Sequence, residues 1–280
     1  MTSSHTIRPF ASTEEYKACV ALQEDTWGQG FSERVAPAIL KVAQILGGVS
    51  AGAWSADGRL VGFVFGMTGL RDGEIVHWSD MLAVRPEARD TGLGRRLKAY
   101  QRDEVLSRGV EKMFWTFDPL QARNAHLNVN RLGIVVREYA ENMYGDTDSP
   151  LHRGIGTDRF IALWMLSTRR VRDCLAGAPL AAPSREHPAA LVATGDVDET
   201  ESVPSPASPD VSHETEGVGV AIPSDIGAVM STDLSLAVEW RHATRVVFRH
   251  YLSRGYEVSG FERGPTVSRY VLTRIPEADA

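Results

Sequence analysis

"RPEARDTGLGRRL", residues 85–97, joins an apolar run ending in "DMLAV" to a long helical pattern. Its glycines, Gly92 and Gly94, leave the backbone bare where a helix opens. Bare backbone at that point lets successive N–H groups converge on an anion, and the helix dipole favours negative charge there. Three phosphate-binding patterns compete for such a turn. A P-loop needs Gly-Lys-Ser/Thr, which does not occur in this chain. A dinucleotide fingerprint needs a third small residue where Leu97 stands, and an acidic residue after the next strand; neither fits. The third is an Arg-x-x-Gly-x-Gly turn made by Arg89, Gly92 and Gly94 after "VRP", with Arg89 and Arg95 as further donors.

Working outward, Leu93, Leu97 and Tyr100 recur at helical spacing until Gly109. Upstream lie three strand-like runs, "GVSAGAW", "RLVGFVFGMTG" and "EIVHWSDMLAV". Asp57-Gly58 and Asp72-Gly73 separate them, a dipeptide suited to hairpin turns, so the three read as an antiparallel meander. Before the meander, residues 5–10 read as a short strand. "STEE", residues 12–15, is a capping box that opens a helix, and Pro37 starts a second helix ending at Gly47-Gly48. Downstream, "EKMFWTF" reads as a strand stopped by Asp118-Pro119. Strand, helix and strand in this order imply a right-handed crossover and a parallel pair. A short helix "ARNAHLNVNRLG" and strands "IVVREYAENMYG" and "DRFIALWML" follow.

The character changes after Arg172. Residues 195–216 contain seven acidic residues and no Lys or Arg, within a stretch rich in Ala, Pro and Ser. The expectation is a domain over residues 1–172, a disordered insertion over 173–217, and an extension over 218–280 packing on the domain. In the extension, "LSLAVEWRHATRVVFRHYLSRG" predicts a helix and "YEVSGFERGPTVSRYVLTRI" a strand pair. Bulk properties are those of a globular protein: 280 residues, 43% hydrophobic and 24% charged. A net charge of -6 gives no electrostatic footprint for nucleic acid. Cys19 and Cys174 are far apart, His242 and His250 lack metal-ligand spacing, and no metal is expected. With neither an apolar leader nor a membrane-length run, the expected place is the cytoplasm and no membrane partner is expected.

The meander, "VRP", the Arg-x-x-Gly-x-Gly turn, the amphipathic helix and the parallel strand together resemble the GNAT superfamily of acyl-CoA-dependent N-acyltransferases. The likeness covers roughly residues 5–167. "LGRRLKAYQRDEVLSRG", "WTFDPLQARNAHLNVNRLG" and "VREYAENMYG" look like a bacterial branch associated with N-acylamino acid metabolism. The resemblance implies an α/β GNAT fold: a mixed, mostly antiparallel central sheet with a splayed parallel pair, flanked by helices, here with a C-terminal helix-hairpin extension. It implies acetyl-CoA or another acyl-CoA as co-substrate and an acyl group passed directly to an amine in a ternary complex. A small-molecule amine is the expected acceptor, against a protein or peptide acceptor or a non-catalytic CoA-binding module. The tail's extra sheet and helix surface is compatible with a homodimer.

On the same resemblance, Leu82, Ala83 and Val84 pair with the pantetheine arm. Arg89, Asp90, Thr91, Gly92, Leu93, Gly94 and Arg95 cradle the pyrophosphate, and Asn124 and Asn128, one helical turn apart, reach the arm's amides. The thioester lies where the two parallel strands part, near His77, Ser79, Asp80, Thr116 and Asp118. Asp118 reads either as the group that deprotonates or binds the amine, or as a strand-ending turn residue. Relatives often carry a Tyr that protonates the thiolate; its place holds Val129 here, leaving Tyr139 and Tyr144 as substitutes. Trp27, Phe31 and Arg123 are acceptor contacts, with His77, Asp80 and Thr116.

Overall fold

The computed structural model describes residues 5–145, 154–178, 180, 187–194 and 203–275. It divides into two compact units. One comprises Met1–Trp115 with Met165–Ser167; the other comprises Thr116–Trp164 with Thr168–Ala280.

In the first unit, β1 (Thr6–Pro9) leads to α1 (Thr13–Trp27) and α2 (Pro37–Ile45). Ser12 caps α1 by accepting from Glu15 N at 3.3 Å, while the Glu15 carboxylate takes Ala11 N at 2.7 Å. The capping box is thus displaced by one residue on its return bond. α1 buries Tyr16, Cys19, Leu22 and Gln23, the i, i+3, i+6, i+7 face its sequence spacing defines. Pro37 opens α2, where its missing N–H has no intrahelical partner to lose. The meander follows as β2 (Val49–Trp54), β3 (Leu60–Arg71) and β4 (Glu74–Val84), all antiparallel. Asp72 and Gly73 both have positive φ, 52° and 82°, which is the twist a tight hairpin requires. α3 (Leu93–Leu106) then crosses to β5 (Lys112–Phe117), whose first residues run parallel to β4. Phe10, Leu22, Leu40, Phe63, Phe65 and Met81 form part of one buried cluster in this unit.

The second unit contains the end of β5, a short α4 (Ala122–Ala125) that widens into a π turn over His126–Leu132, β6 (Val135–Ala140) and β7 (Arg159–Met165). After them come α5 (Arg169–Ala176), β8 (Ala189–Leu191), β9 (Ala193–Thr194), β10 (Ser205–Pro206) and β11 (Gly217–Pro223). α6 (Ile226–Thr232), α7 (Leu234–Leu252) and the antiparallel pair β12 (Tyr256–Glu262) and β13 (Val267–Arg274) complete it. Strands lie in the order β7-β6-β12-β13-β11-β8. Phe160, Phe248, Tyr270 and Phe261 pack ring against ring at centroid separations of 4.6 to 5.4 Å.

Mixed α/β architecture, the mostly antiparallel sheet and the parallel pair agree with the expected fold. Val258 of β12 pairs with Val136 of β6, so the C-terminal strands continue the sheet begun by β6 and β7, and the compact units divide at Trp115/Thr116. Within the insertion expected to be disordered, α5 and β8 to β10 occupy described residues; β8 is held by parallel pairing with β11. Residues 179, 181–186 and 195–202 of that insertion lie outside the described residues.

Candidate functional site

The turn after β4 is shaped by a short 3-10 segment, Pro86–Ala88, and by two left-handed residues, Asp90 at φ 60° and Gly92 at φ 79°. A left-handed residue suits glycine, which has no Cβ to clash. Gly92 caps α3, and the first intrahelical bond runs from Arg96 N to Gly92 O at 3.1 Å. The N–H groups of Leu93 and Gly94 therefore precede the ladder and lie at the positive end of a helix of 14 residues. A Cβ at Gly94 would come within 3.7 Å of Leu82 Cδ2 and 4.0 Å of Val84 Cγ2, occupying the approach between the turn and the end of β4. Arg89 Nε donates to Val84 O at 3.1 Å, which ties an exposed guanidinium to the same place. Thr91 Oγ1 donates to Ala88 O at 2.8 Å and braces the loop. The turn has the shape of a cradle, with donors of the kind that suit an anion.

β4 runs from that cradle to a fork. It pairs with β5 at His77↔Met113 and Trp78↔Phe114. From Ser79 onward β4 keeps its β3 partners, among them Phe65↔Met81, Val64↔Leu82, Phe63↔Ala83 and Gly62↔Val84, but has passed the last of these rungs with β5. The edge carrying Leu82, Ala83 and Val84 lies on this free stretch. Asp80 is the extra residue of a bulge, since Gly66 pairs with Ser79 and Phe65 with Met81. Asp80 is exposed, and its carboxyl is pushed up from the usual range by desolvation and then by the neighbouring Glu33 carboxylate.

His77 is sealed behind the fork rather than presented to a substrate. Burial, aided by the positive charges of Lys98 and Arg108, lowers it to about 3. Its Nδ1 lies 3.0 Å from Thr68 Oγ1 and its Nε2 lies 3.0 Å from Gln101 Nε2. Ser79 Oγ donates to Gln101 Oε1 at 2.8 Å and accepts from Lys98 Nζ at 2.7 Å. His77, expected as an acceptor contact, has both ring nitrogens engaged in a buried network. Trp27 and Phe31 stack with ring centroids 5.4 Å apart. Gln23 holds Val35 by both its N–H and its carbonyl, at 2.7 and 3.2 Å, so the loop between α1 and α2 is folded against α1.

In the second unit Asp118 is 1% exposed and grips Arg241, with Oδ1 to Nη1 at 2.9 Å and Oδ2 to Nη2 at 2.8 Å; Oδ1 also accepts Leu120 N. A carboxylate held by a bidentate guanidinium in a buried site is a poor base. Asp118, read either as the amine's base or as a strand-ending turn residue, pins the end of β5 to α7. Tyr139 donates to Asp158 Oδ2 at 2.5 Å, and Arg245 binds both oxygens of the same carboxylate. Burial, before the Asp158 charge, drives the Tyr139 hydroxyl far up, so it too is a structural donor. Tyr144 is exposed, with its hydroxyl 2.9 Å from Thr116 Oγ1. Arg123 and Asn124 are exposed, Asn128 is buried with its carbonyl accepting Ile134 N, and Val129 is fully buried.

Lys98, Gln101 and Arg241 were not singled out from sequence. For Gln101 a signal existed: Leu93, Leu97, Gln101 and Val105 repeat every four residues, so a polar side chain sits on the buried stripe of α3. Among the described residues no cluster of His, Cys, Asp and Glu could hold a metal ion, and no helix is long and apolar enough to cross a membrane.

Residues 16–133 match the profile of the acetyltransferase (GNAT) family. No curated protein matches the chain. Solved structures similar to it include the ribosomal-protein-S18-alanine N-acetyltransferase from Escherichia coli, at 19% identity over 59% of this chain and 96% of that one, TM-score 0.46. A GNAT-family acetyltransferase from Streptococcus pneumoniae is 17% identical over 57% and 98% of the two chains, TM-score 0.45. Ard1 from Thermoplasma volcanium is 16% identical over 57% and 95%, TM-score 0.44. Over residues 16–133 the chain is similar to the acetyltransferase (GNAT) family, and both the turn and the fork lie within that stretch.

Proposed function

We propose that the chain transfers an acyl group, acetyl foremost, from acyl-CoA to the amine of a small molecule by direct attack in a ternary complex. One observation carries this reading. An anion cradle at the start of α3 lies at one end of a β4 segment whose other end is a fork. An extended arm with amide groups can add to that edge as a strand would. From Val84 back to Ser79 is five residues, about 17 Å at a rise of about 3.3 Å each.

In this reading Arg89 to Arg95 hold the pyrophosphate and Leu82 to Val84 the pantetheine arm, delivering the thioester at Ser79 and Asp80. Asp80 takes the part first given to Asp118. Its exposed, desolvated carboxyl suits binding an ammonium and drawing off its proton. Thr116, Tyr144, Arg123, Asn124 and Asn128 all belong to the second unit. The folded α1–α2 loop, closed by Trp27, Phe31 and Gln23, supports an acceptor of small size.

Calorimetric titration of acetyl-CoA, succinyl-CoA and CoA tests the reading, on the native chain and on Gly92→Asp. An aspartate tolerates the left-handed backbone but places a negative charge in the cradle. Tight binding to the native protein, weakened at least about tenfold in the variant, is expected from loss of one charge-assisted contact. No heat with any of the three would overturn the reading.

A further inference from the structure

α3 buries an amine at the fork. Lys98 is 8% exposed, and its Nζ lies 2.7 Å from Ser79 Oγ and 3.8 Å from the centre of the Trp115 ring. Ser79 on β4 and Trp115 on β5 are each the next residue after the Trp78↔Phe114 rung. The amine therefore bridges the two strands at the step where they stop pairing.

Behind it the hydrogen bonds run in a single sense. Ser79 donates to the Gln101 carbonyl oxygen, which leaves the Gln101 amide to donate to His77 Nε2. His77 then carries its proton on Nδ1 and donates to Thr68 Oγ1, which donates to Gly47 O at 2.9 Å. Each of these donations runs away from the fork. Ser79 can only accept from Lys98, so Lys98 is the member with protons to spare on the fork side. A lysine holds three donors as the ammonium, and one suffices for Ser79.

The groups against it are Ser79 of β4 and Trp115 of β5; behind Ser79 stand Gln101 of α3, His77 of β4 and Thr68 of β3, with Gly66 of β3 against His77 and Gln101 and the Arg108 charge acting on His77. His77 is neutral and Arg108 is cationic, and burial alone, with no carboxylate to offset it, lowers Lys98 to about 7. That value suits a group that gives and regains a proton near neutrality.

We propose that Lys98 is the proton donor to the thiolate that departs in acyl transfer, in a chain where Val129 leaves no hydroxyl at the position relatives use. The proposal rests on the CoA-binding reading above. The acceptor nitrogen forms its bond to the acyl carbon, and the C–S bond breaks with its electron pair staying on sulfur. Sulfur takes a proton from Lys98 Nζ, and the proton shed by the new amide nitrogen restores the ammonium.

The test reads Lys98 directly and needs no acceptor. The chain has only four lysines, at 17, 41, 98 and 112, so protein labelled with 13C at lysine Cε gives four side-chain signals. One should titrate near 7 and vanish in Lys98→Met, while ordinary lysines titrate at about 10.4. Saturating CoA should raise that midpoint by about one unit or more, because an ammonium within about 4–6 Å draws the CoA thiol down from its ordinary value of about 8.5 and the thiolate so formed favours the ammonium in turn. Desulfo-CoA, the same arm without sulfur, should not. Equal shifts with both ligands, or none with CoA despite a binding heat, would overturn the assignment of Lys98 and leave the CoA site standing. Absence of any CoA heat would overturn both.

Discussion

Replacing Lys98 by methionine should make the protein more stable at neutral pH and erase part of its pH dependence. The folded group titrates near 7 against an ordinary value of 10.5. Between those values the unfolded chain holds a proton that the folded chain does not. Stability therefore rises with pH through this window, is lost as pH falls toward 7, and changes no further below it. Each unit corresponds to about 1.4 kcal/mol. At pH 7 the buried amine thus costs up to about 4 kcal/mol, and at pH 9 about 2 kcal/mol. Methionine is close in volume, keeps a favourable contact with the Trp115 ring and forfeits one hydrogen bond to Ser79, worth about 1 kcal/mol. The variant should exceed the wild type by about 3 kcal/mol at pH 7 and by about 1 kcal/mol at pH 9. Urea unfolding of both proteins at the two pH values, followed by fluorescence and circular dichroism, gives the comparison. Other titrating groups cancel in the difference between variant and wild type. A stability gap that is the same at pH 7 and pH 9 would refute the argument, since it would mean that Lys98 titrates alike folded and unfolded.

Two further outcomes follow from contacts around the same strands and in the second unit. Gly66→Ala would drive a methyl group into His77 Nε2, with Trp78 O at 2.6 Å and Gln101 Nε2 at 2.7 Å, and should lose about 2–3 kcal/mol. Gly69→Ala on the same strand meets nothing within 4 Å and should change stability by less than about 0.5 kcal/mol; equal melting temperatures for the two would contradict the tight packing at Gly66. Asp118→Asn leaves the Arg241 guanidinium buried without its charge partner, with an expected loss of about 3–5 kcal/mol. Asp118→Leu combined with Arg241→Met should recover most of that loss in thermal melts, and a double variant no better than the single one would speak against a mainly electrostatic clamp.

Elements set by local chemistry were legible in the sequence. Ser12 and Glu15 do open α1, Pro37 does open α2, and Asp72-Gly73 does turn the hairpin, because each acts within a few residues of itself. The same holds for the cradle, whose left-handed Gly92 and helix start lie within one short stretch. The clamp on Asp118 was not legible, because its partner Arg241 is 123 residues away and a lone Asp-Pro carries no trace of a distant arginine. β8 was unreadable for a related reason. Three residues in a Pro- and Ala-rich segment become a strand only because β11 offers them a parallel edge.

Lys98 shows what kind of residue falls between these cases. Read along α3 it is one charge among several in "GRRLKAYQRDE", and nothing separates it from Arg95 or Arg96 until the helix is laid on the sheet. Once placed, it is an amine buried where an apolar side chain would hold β4 and β5 with greater stability. Gln101, Ser79 and His77 complete its surroundings, and each is a buried polar group that must be satisfied by the others. Packing alone gives no reason for such a series, since a fully apolar stripe of Leu93, Leu97 and Val105 type would seal the same interface at lower free energy. A destabilising group retained at the mouth of the fork is the pattern expected where stability is given up for chemistry. The pH dependence of stability and the response to the sulfur of CoA therefore probe one property by independent means. The first measures how strongly the fold suppresses the charge on Lys98, and the second whether a thiolate brings it back.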